Sequence, residues 1–289
     1  CRGRARRHQD PPVTADPSQT TSQFDLDTAV SAVAGEDGAW TADLNPRWNI
    51  GRNPNGGYLL SIAARAMQQA AGRPDPMSVT AHYLSPPTAD EPVTISTEIV
   101  KAGRRYVNVG ARMTQGGRER IRLVGIYGDL DQQEGPTQIA ARPPQIAEPD
   151  RCLSLVELTE KAGRVIPESV HRFDLLLPPD TPWGRAGESE PFEITGWIRM
   201  ADGSAPDPLS LLTFADAYPP TLLGSVAHGW VPTLELTVHV RARPAAGWLL
   251  GTFRTRFLMD GVLEEDGELW DAEGHPVALS RQLALVLPG

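Results

Sequence analysis

Cysteine is nearly absent. Two residues, Cys1 and Cys152, in 289 cannot build a disulfide framework, so a reducing cytoplasm is the expected location. No apolar run is long enough to span a membrane. Basic residues are in deficit: 27 Lys and Arg against 36 Asp and Glu give a net charge of −9, which argues against a nucleic-acid surface. The chain also lacks a Gly-x-Ser-x-Gly elbow, a Walker loop, a dinucleotide glycine fingerprint and a His-Glu-x-x-His zinc motif. Those absences weigh against an α/β-hydrolase, an NTPase, a nucleotide-dependent oxidoreductase and a zinc peptidase. Neither a metal site nor a redox cofactor is implied.

Proline and glycine are plentiful, 27 each, and favour many turns and therefore many strands. The opening residue is Cys1 rather than Met and no signal peptide is visible, so a truncated or mis-started frame is the expectation. Residues 1–23 are polar and carry Arg2, Arg4, Arg6 and Arg7, the composition of a disordered tail. Strand-like pieces follow around Leu26–Val33 and Ala39–Leu44, then a helix over Gly57–Gln69. Four strands come next, at Ser78–Leu84, Val93–Val100, Tyr106–Met113 and Glu119–Tyr127, with Gly116-Gly117 as a hairpin turn. Residues 131–170 read as a proline-bearing linker with a short helix near Leu153–Ala162. After it come strands at His171–Leu176 and Phe192–Met200, a helix over Asp207–Tyr218, and strands at Thr233–Val240, Trp248–Met259, Gly261–Trp270 and Pro276–Leu287.

The order repeats. Asn55-Gly-Gly-Tyr-Leu-Leu-Ser-Ile-Ala-Ala64 aligns without a gap on Asp207-Pro-Leu-Ser-Leu-Leu-Thr-Phe-Ala-Asp216, N-cap on N-cap. The following strand bears a histidine near its end in both copies, His82 and His239, which reads as structural. The predicted architecture is α+β: one apolar helix wrapped by an antiparallel sheet, twice, over residues 24–130 and 171–289. Two open sheets can pair edge to edge.

Asp216 is the one charge between Pro208 and Gly224, on an apolar helix face with Leu209 and Leu212. A lone acid there is either a satisfied structural group or a functional one. Its repeat partner, Ala64, is apolar, which favours function and a single active centre in the second half. Thr233 opens the next strand, where a hydroxyl can face a site or simply serve β-propensity. Gln282 shares a strand face with Ala278, Ser280 and Ala284; it is either a ligand-facing amide or an exposed edge residue. Cys152 has no evident base. Asp43-Leu-Asn-Pro-Arg-Trp48 superficially matches a hydratase signature but carries Trp48 where the histidine is needed.

Together, Asn55-Gly-Gly-Tyr-Leu-Leu-Ser61, Leu212-Thr-Phe-Ala-Asp-Ala-Tyr218, Pro232-Thr-Leu-Glu-Leu-Thr-Val-His-Val-Arg241 and Gly274-His-Pro-Val-Ala-Leu-Ser-Arg-Gln282 resemble the double-hotdog acyl-CoA thioesterases of the thioesterase II type. The resemblance spans roughly residues 24–289. It implies a double hotdog fold, catalytic roles for Asp216, Thr233 and Gln282, and hydrolysis of acyl-CoA by an activated water. CoA is then part of the substrate. Glu235 stands where the family often has Asp. Gly56, Gly57 and Tyr58 are expected at the substrate, with Arg241 and Arg243 toward the CoA phosphates. The resemblance also implies a homodimer or larger homo-oligomer. The competing readings are a non-catalytic acyl-CoA or acyl-carrier-binding module and a hotdog dehydratase, the latter lacking its Asp/His pair.

Overall fold

The computed structural model describes residues 21–181, 192–222 and 230–287. Most of the expected disordered tail, residues 1–20, lies outside them. The tail ends earlier than expected, because Ser22 caps a short helix, α1 (Gln23–Asp27), by accepting from the Asp25 N–H at 3.0 Å. This helix takes Leu26 out of the strand expected around it, leaving only β1 (Ser31–Ala32). Then come β2 (Ala39–Ala42), the small hairpin β3 (Asn49–Ile50) and β4 (Asn53–Pro54), and the long helix α2 (Gly56–Ala71). Strands β5 (Asp75–Tyr83), β6 (Val93–Ala102), β7 (Val107–Gln115) and β8 (Arg118–Gly128) complete the first half. Gly116 and Gly117 both have φ > 0, at 58° and 72°, the backbone that a two-residue hairpin turn requires.

The second half begins inside the expected linker. β9 (Leu153–Ser154) pairs with β10 (Phe173–Leu177), and α3 (Leu155–Lys161) lies between them in the chain. β11 (Phe192–Met200), α4 (Ser210–Phe214) and β12 (Thr233–Val240) follow. The expected strand Trp248–Met259 divides into β13 (Leu249–Thr255) and β14 (Leu258–Met259), and the chain closes with β15 (Val262–Trp270) and β16 (Pro276–Leu285).

All but β3 and β4 join one 14-stranded sheet, ordered β1-β2-β6-β7-β8-β5-β12-β16-β15-β13-β11-β10-β9, with β14 on β15. Every recorded pairing in it is antiparallel. The two halves meet where β5 pairs with β12 (Thr237 opposite Thr80), and the hydroxyls of that pair lie 2.9 Å apart. α2 is apolar nearly all round and buried to match: Leu60, Ile62, Ala63, Ala64, Ala66 and Met67 have no exposed surface. Burying each large apolar side chain here stabilises by about 1.5–3 kcal/mol.

α4 is the main departure from the predicted architecture. It covers five residues, not a long helix equivalent to α2. Asp207 still caps the chain before it, its Oδ1 accepting from the Ser210 N–H at 2.6 Å while its own N–H donates to Ser210 Oγ at 2.8 Å. At the other end the bonds tighten: the Asp216 N–H donates to Thr213 O at 3.0 Å, three residues back, and the helix ends before Pro219 is reached. No described helix is long and apolar enough to cross a membrane.

Candidate active site

The turn that ends α4 aims Asp216 at the start of α2. Asp216 Oδ2 accepts the Gly57 N–H at 2.7 Å and the Asn55 side-chain amide at 3.1 Å. Asn55 serves both helices, since its own Oδ1 accepts the Tyr58 N–H at 2.9 Å and so caps α2. The paired glycines are what permit the approach. A Cβ on Gly57 would stand 2.8 Å from Asp216 Cβ and 3.0 Å from Thr213 Cα, and one on Gly56 would stand 3.0 Å from Asp216 Oδ2.

Burial dominates the electrostatics of Asp216. It pushes the carboxyl up to about 6, against the opposing pull of the Gly57 N–H and the Asn55 amide. The orphan donors at a helix N-terminus also favour a carboxylate there.

Thr233 and Gln282 come from the two neighbouring strands. Gln282 Nε2 donates to Thr233 Oγ1 at 2.9 Å. A bulge between Thr233 and Glu235 sets the register that lets them meet. Asp216, Thr233 and Gln282 all line one cavity of about 290 Å³. Gly56, Tyr83 and Glu265 line it too. Tyr83 donates from its hydroxyl to Gly56 O at 2.9 Å.

Of the five expected substrate contacts only Gly56 lines the cavity; Gly57 gives its N–H to Asp216, and the other three fall elsewhere. Tyr58 points into the core: it stacks on Trp48 at 4.9 Å, and its hydroxyl donates to Asp27 O and accepts from the Asn45 N–H. Arg241 and Arg243 lie past the far end of β12. Eight residues separate Thr233 from Arg241, roughly 25 Å along a strand. Arg243 is engaged by Asp75 at 2.9 Å and Asp131 at 2.8 Å and ties the start of β5 to the linker. Trp48, whose identity weighed against the hydratase signature, is a core residue donating to Asp27 at 2.9 Å. Sequence reasoning missed Asn55 as a carboxylate ligand, Tyr83, and Glu265. For Glu265 a signal existed: strand alternation sets it on one face with the apolar Leu263.

The first half contains the same scaffold with different residues at these positions. Thr80 and Thr237 face each other 157 residues apart. At that offset Thr233 corresponds to Pro76, and the bulge before Glu235 recurs before Ser78. Val79 pairs with Gly125 as its counterpart Leu236 pairs with Gln282, so Gln282 corresponds to Gly125. In the helices, Ser61 and Thr213, 152 residues apart, share a 2.7 Å hydrogen bond, and Asp216 corresponds to Ala64. Ala64, Pro76 and Gly125 therefore stand where the second half has Asp216, Thr233 and Gln282. Tyr127 fills that region and donates to Ala64 O at 3.0 Å, while Met67 Cε comes within 3.0 Å of where a Gly125 Cβ would be.

Two family models match the chain, one after the other. Residues 44–128 match the family model described as the acyl-CoA thioesterase N-terminal domain, and residues 149–286 match the one described as its C-terminal domain. An uncharacterized protein of Mycobacterium tuberculosis H37Rv is 30% identical over 269 residues, covering 84% of this chain and 89% of the relative. A crystal structure described as a candidate thioesterase II of Thermobifida fusca YX is 30% identical, with a TM-score of 0.82, covering 92% of this chain and 98% of that one. A hot dog fold protein of unknown function from Alicyclobacillus acidocaldarius superposes with a TM-score of 0.81 at 19% identity, over 93% and 100% of the two chains; at that identity the likeness carries the fold alone. With both domain models matched in order over most of its length, the chain belongs to the acyl-CoA thioesterase family.

Proposed function

We propose that this chain is a double-hotdog enzyme that hydrolyses acyl-CoA thioesters to a free acid and CoA, with its one active centre in the second half. The observation that carries the reading is the convergence of Asp216, Thr233 and Gln282, from α4's end and two strands, on one cavity.

The chemistry follows from the hydrogen bonds. The Gly57 N–H and the Asn55 amide hold Asp216 Oδ2, which leaves Oδ1 to take a proton. Thr233 Oγ1 accepts from Gln282, so its own proton is free to orient a water. That water attacks the thioester carbonyl as Asp216 removes its proton. The developing oxyanion would meet the Gly56 N–H, for which no partner occurs among the described residues, at the positive end of α2. Collapse breaks the C–S bond. The thiolate leaves readily, a thiol pKa being about 8.5, and recovers the proton held by Asp216.

Asp216→Asn keeps the size and an acceptor oxygen for both donors but removes the base. Assayed with a panel of acyl-CoAs by release of free thiol, it should lose 10²–10⁴-fold in kcat, roughly the range of general-base catalysis. Undiminished turnover would remove Asp216 from the mechanism. A wild-type chain that binds acyl-CoA and hydrolyses none of the panel would instead be a binding module.

A further inference from the structure

The cavity holds a second acid that the proposed hydrolysis leaves unused. Glu265 lies on the inward face of β15, directly across from Gln282, and lines the cavity with Asp216. Its one hydrogen-bond partner among the described residues is Thr221, whose N–H donates to Oε2 at 3.2 Å. The Thr221 hydroxyl is turned to Thr255 at 2.8 Å. No ion pair reaches Glu265 among the described residues. Burial above all, with the acidic charges of Asp216 and Glu264, pushes its carboxyl up to about 7 against the opposing pull of Thr221.

An acid in this setting is costly unless something meets it. The first half shows what the scaffold itself accepts: the residue paired with Gly125 on β7, in the place of Glu265, is the buried Val109. The other copy of the scaffold thus holds its shape with no acid at this position.

Its place in the cavity points to the acyl end of a substrate. Leu84 and Trp230 are 58% and 38% exposed and mark the mouth. Leu263, Phe253 and Tyr218 are among the cavity's buried apolar lining. Glu265 sits among that buried apolar lining: Leu263 is two residues away on the same strand face, and the Phe253 ring comes within 2.4 Å of where a Cβ of Gly267, two residues the other way, would be. Paired residues on adjacent strands have Cβ atoms about 5 Å apart, so Glu265 stands beside the Gln282–Thr233 pair that would orient the attacking water, and only a few carbon atoms from the carbonyl that water attacks.

We propose that Glu265 selects acyl groups that carry a hydrogen-bond donor, a hydroxyl or an amine, within a few carbons of the thioester carbonyl. This rests on the thioesterase reading of the same cavity. A site built around a buried acceptor strongly rejects an analogue with nothing to offer it.

The test compares kcat/KM for matched acyl-CoAs: unsubstituted, hydroxylated, and aminated at the second, third or fourth carbon. Wild type should favour at least one substituted substrate over its plain counterpart by tenfold or more. Glu265→Val, which installs the first-half residue, should lose tenfold or more on that substrate and hold or gain on the plain one. Glu265→Gln keeps a neutral acceptor, so it should retain activity on a hydroxylated substrate and lose it on an aminated one. The inference is overturned if wild type uses plain acyl-CoAs as well as every substituted one. It is equally overturned if Glu265→Val depresses all substrates by one common factor. Either result leaves the thioesterase reading standing, provided Asp216→Asn still abolishes turnover; wild type and Asp216→Asn equally inert on every substrate would remove both.

Discussion

At the scale of the residue, Asp216 is set by a contest between burial, which raises its carboxyl, and two N–H donors, which lower it; burial wins, giving a value of about 6. The activity consequence is an acid limb: kcat/KM should fall as the pH drops through about 6 and the base takes up a proton. Glu265 titrates nearby, so the measured limb belongs to the pair. The stability consequence runs the other way. A carboxyl raised in the folded state favours folding below its unfolded value and loses that contribution as the pH rises through about 6. Asp216→Asn should therefore be more stable than wild type at pH 8, on the order of 1–2 kcal/mol, with the difference vanishing toward pH 4. Denaturant melts at the two pH values check this; equal stability at pH 8 would mean the carboxylate is not strained there. Asp216 stood out in the sequence as the one charge in an apolar stretch and as the repeat partner of Ala64, and Gln282 because strand alternation sets it among small neighbours; helical periodicity did not place Asp216, which lies past the end of α4. Tyr58 was misread because proximity in sequence to Gly56 says nothing about the opposite face of the same helix.

At the scale of the element, the site depends on how closely the turn after α4 can approach the start of α2. Gly57 sets that distance. In Gly57→Ala the new Cβ meets Asp216 Cβ at 2.8 Å and Thr213 backbone at 3.0 Å, and neither is the movable tip of a side chain. The helices must separate, or Asp216 must leave the α2 N-terminus. The expected result is a destabilisation of about 1–3 kcal/mol with a loss of a hundredfold or more in kcat. Gly110→Ala, whose Cβ would meet only Val100 at 3.7 Å, is the matched control and should be near neutral in both. The brevity of α4 could not be read from sequence. Pro219 and Pro220 mark the last possible helical residue, but the chain leaves the helix at Phe214, where tertiary contact with α2 decides the geometry.

At the scale of the whole molecule, the two halves share one sheet, and residues of both line one cavity. The gapless helix alignment revealed the repeat, at an offset of 152 residues; the central strands follow an offset of 157, which His82 and His239 hint at in the sequence and strand register fixes. The first-half counterparts of Thr233 and Gln282 follow from that register and its bulge, whereas Ala64 follows from the helix alignment alone. The register also makes the halves interdependent. Asp216 belongs to one and its ligands Asn55 and Gly57 to the other, and the β5–β12 seam satisfies backbone groups that either half alone would expose as a bare edge. Residues 133–142 cross between them, almost wholly exposed and without regular structure, where a break costs few contacts. Dividing the chain between Ile139 and Ala140 and co-expressing the pieces should yield a complex that co-purifies and keeps thioesterase activity to within about threefold, since the cut touches neither seam nor cavity and tethering contributes mainly effective concentration. Each piece alone should be inactive and prone to aggregate. Activity in the isolated C-terminal piece would show that the α2 N-terminus is dispensable, and the Asp216 geometry would then have no catalytic meaning.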